Sequence, residues 1–174
     1  TLYPLSFREF LSYKNKDLLD IFDNRMNFST EIINLINKLY KEFVIYGGYP
    51  RVILTSSKEE KETVLENIYN TYLLKEIRDI MGLQEDYKIS KLIQSLGLNI
   101  GNLVNYNELS NHLDLSYKEI MSYLNILKKT FIVDLPKPFY TNKKTELKKN
   151  PKVFFFDNGF RNITTKNFQD IDSR

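Results

Sequence analysis

Apolar residues recur at helical spacing over most of the chain, and the breaks between these runs outline its organisation. The first run, "LYPLSFREFL" from Leu2 to Leu11, reads as a short extended lead followed by a helical turn. Ser6 is its N-cap, and Glu9 three residues on completes a capping box. From Asn27 to Val44 the pattern predicts a helix capped by Ser29 or Thr30, with Ile32, Ile36, Leu39 and Phe43 on one stripe. "YGGYP" ends it, because glycine weakens a helix and Pro50 disfavours helical geometry at Tyr49. Ser57 and Glu60 open a longer helix that runs to about Met81. Its stripe is Leu65, Ile68, Tyr72, Ile77 and Ile80, under a face thick with Lys and Glu.

A module boundary is expected between Gly82 and Tyr87, and beyond it the pattern tightens. Helices are expected at Tyr87–Leu98, Asn107–Leu113 and Tyr117–Lys129, with a turn at Gly101. Asn105 before Glu108 and Ser116 before Glu119 supply two caps. After Thr130 the period becomes that of a strand in "FIVDLPKPFY" and, past a lysine-rich loop, in "KVFFFD" from Lys152 to Asp157. Pro136 and Pro138 make the first strand an edge or a bent ribbon. Three helices followed by a hairpin is the order of a winged helix.

Composition narrows the chemistry. The chain has no cysteine and a single histidine, His112, which excludes disulfides, Cys-ligated metals and the Ser-His-Asp, Cys-His and HExxH arrangements. His112 is expected to be a partly buried helix residue and not a ligand. No apolar run approaches the ~20 residues of a membrane span, so no membrane partner is expected and a cytoplasmic protein is the default. Net charge is only +3, but Lys137, Lys143, Lys144, Lys148, Lys149 and Lys152 face the single Glu146 within one stretch. Such a local basic patch decides partners more than the total does. Glu146-Leu147-Lys148 imitates the E-x-K half of a nuclease site. The acidic partner it needs should precede it, whereas Asp157 follows, so this reading is set aside. The chain begins Thr-Leu-Tyr-Pro and ends in a polar run, and reads as a piece of a longer protein.

In a helix-turn-helix the second helix lies in the major groove and the turn before it is short. "NELSNHLDLSYKEIMSYLNILKK" fits that layout. Ile120, Leu124 and Leu127 would face the core, leaving Tyr117, Lys118, Ser122, Asn125 and Lys129 for phosphates or base edges of double-stranded DNA. Lys143, Lys144, Lys148 and Lys149 would form a cationic wing that holds the DNA backbone without reading sequence. The alternative is a winged helix used for protein–protein interaction or oligomerisation, since the second helix has no arginine and carries Glu119 near its start.

The segments "LYPLSFREFL", "YGGYPRVIL", "IYNTYLLKEIRDI", "NYNELSNHLDLSYKEIMSYLNILKKTFIVDLPKPFY" and "PKVFFFDNGFRN" follow one another in this order. Together they resemble the C-terminal half of a broad archaeal and bacterial family of AAA-like P-loop ATPases. In that family an ATPase core precedes a helical segment, a winged helix and a further domain of unresolved role. The resemblance implies a mainly α fold: a helical lid-like module over residues 1–82 and a three-helix winged helix with a small β-hairpin over 87–160. Residues 161–174 would be disordered or begin a truncated further domain. It implies ATP with Mg in the intact parent protein and the ATPase core as a partner, and it leaves a homo-oligomer open. No G-x-x-x-x-G-K-[ST] loop is present, so this chain alone is expected neither to cradle phosphates that way nor to hydrolyse ATP. In related signal-transduction ATPases a glycine–proline turn in the lid meets the adenine. Carried onto this sequence, it points to Gly47, Gly48, Tyr49, Pro50 and Arg51, with Arg51 as a phosphate sensor. The other reading is that "GGYP" only turns the chain between two helices. Without the core, an apolar face near Phe7, Phe10 and Phe43 is expected to be exposed.

Overall fold

The computed structural model describes residues 3–24, 28–81, 87–139, 141–142 and 149–169. In chain order the helices are α1 (Phe7–Lys14), α2 (Lys16–Asn24), α3 (Thr30–Tyr46), α4 (Pro50–Ile53) and α5 (Lys58–Asn67). A π-helical segment (Ile68–Leu74) follows, then α6 (Lys75–Met81), α7 (Tyr87–Leu98), α8 (Tyr106–Leu113), α9 (Tyr117–Lys129) and, after two strands, α10 (Asn158–Thr165). The strands β1 (Val133–Asp134) and β2 (Phe154–Phe155) form an antiparallel pair in which Val133 faces Phe155 and Asp134 faces Phe154. The protein is thus mainly α, with a small hairpin.

The described residues group into two compact units, and the dividing lines differ from those expected. One unit is Thr1–Asn67 with Asp157–Arg174; the other is Ile68–Phe156. The expected boundary between Gly82 and Tyr87 falls mostly outside the described residues. The stretch from residue 161, expected to be disordered or to open another domain, is helical to Thr165 and belongs to the first unit. The physical reason is a set of hydrogen bonds from Asp157 and Asn162, described below.

In the first unit, the Glu9 amide donates to Ser6 Oγ at 3.3 Å and the Ser6 amide to Glu9 Oε2 at 2.8 Å, forming the capping box that starts α1. Asn15 ends α1 with its backbone amide, which donates to the Leu11 carbonyl at 2.8 Å, and starts α2 with its side chain, whose Oδ1 accepts from the Leu18 amide at 3.1 Å. The Phe7 ring meets Phe10, Phe22, Tyr40 and Phe43 at centroid separations of 5.3–6.2 Å. The apolar face expected to lie bare is therefore covered: Phe10 is buried, and Phe7 and Phe43 are half-buried. The cover comes partly from Phe22 on α2, a helix that the hydrophobic spacing did not announce.

In the second unit, α7, α8 and α9 bury Leu92, Ile93, Leu96, Leu109, Leu113, Ile120, Leu124 and Leu127, the hairpin buries Val133 and Phe155, and α9 packs on β1. The strands are shorter than expected. The ladder on β1 stops at Asp134, before Pro136, whose ring nitrogen has no hydrogen to donate. The segment after the hairpin loop also pairs backwards. Gly101 N donates to Val153 O at 2.8 Å, and Val104 N to Pro151 O at 2.8 Å, adding a short third rung beside the hairpin. The single long helix expected from Ser57 to Met81 is instead α5, the π-helical segment and α6 in succession.

Candidate functional site

The "GGYP" turn is built around a contact from far along the chain. α3 ends at Tyr46, and Gly47 takes φ 78°, a left-handed conformation that side chains disfavour. Gly48 N donates to Asp157 Oδ2 at 2.7 Å, and Phe160 N donates to Asp157 Oδ1 at 2.8 Å. One buried carboxylate thus caps α10 and holds the turn after α3. A Cβ on Gly47 would lie 2.2 Å from Asp157 Oδ1, and one on Gly48 would lie 2.1 Å from the Leu5 carbonyl oxygen. A Cβ on Gly159 would lie 2.0 Å from the Tyr46 carbonyl oxygen. The bare backbone of both "GG" residues thus has an intramolecular reason, with Asp157 and Leu5 filling the space where side chains would be. Asn162 completes the junction, its Nδ2 donating to the Val44 and Ile45 carbonyls at 3.0 and 2.8 Å. These are carbonyls that the end of α3 leaves without a helical partner.

Burial dominates the electrostatics of this junction. It pushes the Asp157 carboxyl up to about 6, against the three backbone amides that favour the charged form. Tyr49 caps α4 without a side-chain bond. Burial first, and then the Asp157 charge, raise its hydroxyl well above the usual tyrosine range. Pro50 occupies the first turn of α4, where a missing N–H costs nothing, and Arg51 is exposed. Of the five residues singled out at the turn, Pro50 and Arg51 lie beyond the two filled glycine faces.

The second candidate surface is α9. Ser116 Oγ accepts from the Glu119 amide at 3.3 Å, and Glu119 Oε2 accepts from the Ser116 amide at 2.8 Å and from its hydroxyl at 2.7 Å. Glu119, a charge that looked unwelcome at the start of a DNA-reading helix, is occupied as a cap, and those hydrogen bonds hold its carboxyl below the usual range. Asp114 ends α8 in the left-handed region at φ 50°, which keeps the turn to α9 short. Ile120, Tyr123, Leu124 and Leu127 are buried, whereas Tyr117, Lys118, Ser122, Asn125 and Lys129 are all exposed. The Tyr117 ring meets Tyr106 edge-on at 5.6 Å. Of the expected wing lysines, Lys149 is exposed; Lys143, Lys144 and Lys148 lie outside the described residues, as does Glu146. His112, expected to be partly buried, is exposed on α8, because the buried positions of that helix fall on Leu109 and Leu113.

Sequence reasoning missed the Asp157–Gly159–Asn162 cluster. Its signal was present in "DNGF", an Asp with N-cap preference followed by a glycine, but "KVFFFD" was read as strand to its last residue. Among the described residues no three His, Cys, Asp or Glu side chains gather as a metal site would need. No helix among them is long and apolar enough to cross a membrane.

Comparison with known sequences gives one family match: a domain of unknown function (DUF8612), over residues 37–170. An uncharacterised protein of Haemophilus influenzae is 34% identical over 165 residues, covering 92% of this chain and 38% of the relative. The uncharacterised protein MJ1544 of Methanocaldococcus jannaschii is 23% identical over 150 residues, covering 83% of this chain and 32% of the relative. The chain therefore spans only about a third of the length of these curated relatives. No solved structure matches it.

Proposed function

The chain belongs to the family defined by that domain of unknown function, and on this premise we propose that it is a section of an AAA-like P-loop ATPase whose winged helix binds double-stranded DNA. The observation that carries the DNA reading is the division of α9. Its four buried residues fix it on α8 and β1, and all five candidate contact residues lie on exposed surface. Lys118, Lys129 and Lys149 supply positive charge for phosphates, while Ser122 and Asn125 offer hydrogen bonds to base edges. The ATPase reading is supported by the order of the five sequence segments. ATP with Mg would be held by segments outside this chain, with Pro50 and Arg51 as the nearest contribution from within it. The intact protein would then be a cytoplasmic, nucleotide-driven switch.

The test is duplex binding followed by fluorescence anisotropy as salt is raised. Binding through several phosphates should weaken by orders of magnitude between about 50 and about 200 mM salt. No binding at the low end overturns the DNA reading.

One observation favours a second reading, in which the winged helix docks on protein. Phe139 is 88% exposed after the hairpin's first strand, and Phe154 on the second strand and Phe156 just after it are also exposed. Aromatic surface of this kind suits a protein partner or a second copy. Sedimentation showing a dimer that Phe139→Ser dissolves would favour it over DNA.

A further inference from the structure

The first unit contains an open cleft of about 1410 Å³ that neither reading above uses. Its described lining residues carry Lys14, Lys38, Lys41, Lys58 and Lys61 against one carboxylate, Glu42. At its floor two ammonium groups share a single oxygen: Lys14 Nζ and Lys61 Nζ lie 3.1 and 3.4 Å from Glu42 Oε1. Lys61 is 4% exposed, and its amine also donates to the Val52 carbonyl at 2.8 Å. One carboxylate cannot neutralise two cations, and a cation withdrawn from water is costly unless fully compensated. Two cations, the exposed Lys14 and the buried Lys61, thus meet one carboxylate. Lys38 and Lys58 on the walls add the same sign to a concave, partly apolar space.

We infer that this cleft binds a phosphate-bearing ligand, with phosphate set against the Lys14–Lys61 floor and the lysines of α3 and α5. The walls suit a ring as well as an anion. Tyr13 and Tyr40 line the cleft and are about half exposed, at 56% and 49%, adding aromatic surface to the cationic lining. Asn34 and Asn37 add amide groups that can donate to or accept from a base or sugar. The phosphate can belong to a free nucleotide or to a nucleic-acid strand, since both present the same groups to this surface. The inference stands on the first unit alone and is independent of DNA binding by α9.

The experiment is calorimetric titration of the full chain with tripolyphosphate, a nucleoside triphosphate and a ten-nucleotide single strand. Tripolyphosphate should bind. Replacing the exposed pair Lys38→Ala and Lys58→Ala should weaken it by about tenfold or more. Lys61→Met, which keeps the buried stem and removes the charge, should abolish the remainder. Lys91→Ala with Lys152→Ala removes the same charge from the other unit and should leave the affinity unchanged. A nucleoside triphosphate that binds more tightly than tripolyphosphate assigns the cleft to a free nucleotide; a strand that binds more tightly than both assigns it to nucleic acid. The inference is overturned if none of the three binds, or if the Lys38/Lys58 pair weakens binding no more than the Lys91/Lys152 pair does. Circular dichroism of the surface variants separates lost binding from lost fold.

Discussion

Gly48 and Asp157, 109 residues apart in sequence, are joined by a buried hydrogen bond of 2.7 Å from the glycine amide to a carboxylate oxygen. The same carboxylate receives the Phe160 amide, so one side chain fixes both the turn after α3 and the start of α10.

Asp157→Ala should therefore destabilise the first unit well beyond an ordinary cap loss. It removes the carboxylate from the Gly48, Phe160 and Gly159 amides, each lost buried partner costing about 1–3 kcal/mol. The check is hydrogen exchange: the Gly48 and Phe160 amides should lose protection while those of α7–α9 keep theirs.

Stability should also depend on pH through this residue, with a definite sign. The folded carboxyl, at about 6, lies above its ordinary value of 3.8, so between these limits the folded protein binds more protons than the unfolded chain. The contribution of Asp157 is then greatest below about pH 4 and is lost as pH rises through about 6, a change on the order of 3 kcal/mol at 1.36 kcal/mol per unit. Denaturation of the wild type and of Asp157→Asn at a series of pH values isolates it. The difference between the two curves should slope across that window and be flat above it.

The glycines of the junction should tolerate no side chain. Gly159→Ala would press a methyl against the Tyr46 carbonyl, and Gly48→Ala would press one against that of Leu5, both at about 2 Å. Gly47→Ala adds left-handed backbone strain to its clash. Each should cost at least about 2 kcal/mol in thermal unfolding, whereas Gly101→Ala, whose Cβ would meet nothing within 4 Å, should cost only its positive-φ strain.

On α9, Lys118→Ala and Lys129→Ala should each weaken duplex binding without altering sequence preference. Each should also flatten the log–log salt slope by about 0.9 if it removes one phosphate contact. Asn125→Ala should instead change which sequences are preferred. Competition anisotropy with a panel of duplexes distinguishes the two outcomes.

Lys166 ends α10 in the left-handed region at φ 51° and is exposed. Lys166→Gly removes the steric penalty at a helix end where glycine is favoured, and should raise stability by up to about 1 kcal/mol. A rise in melting temperature with the circular dichroism spectrum unchanged is the expected result.

Local rules were legible in the sequence, and long-range ones were not. Ser6–Glu9 and Ser116–Glu119 formed the capping boxes their spacing announced, because a cap is decided within four residues. The buried set Ile120, Leu124 and Leu127 followed from helical periodicity alone. The π-helical segment left a trace that went unread: the stripe Leu65, Ile68, Tyr72, Ile77 steps by five residues at Tyr72, the repeat of a wider helical turn. For Gly47 and Gly48 the sequence offers two alternatives, an adenine contact or a bare turn. What comes close, however, is Asp157 and Leu5, and no periodicity links those positions to the turn.

The first unit is interrupted in sequence: its last helix arrives only after the whole of Ile68–Phe156 has been made. On a ribosome, the second unit can fold to completion while α3 still waits with its final carbonyls uncapped and its glycine turn open. The residues that close the first unit, Asp157 to Asn162, emerge only after that second unit. The inserted unit thus acts as a delay. A protease or a chaperone that meets the chain before that moment meets one finished unit and one incomplete one.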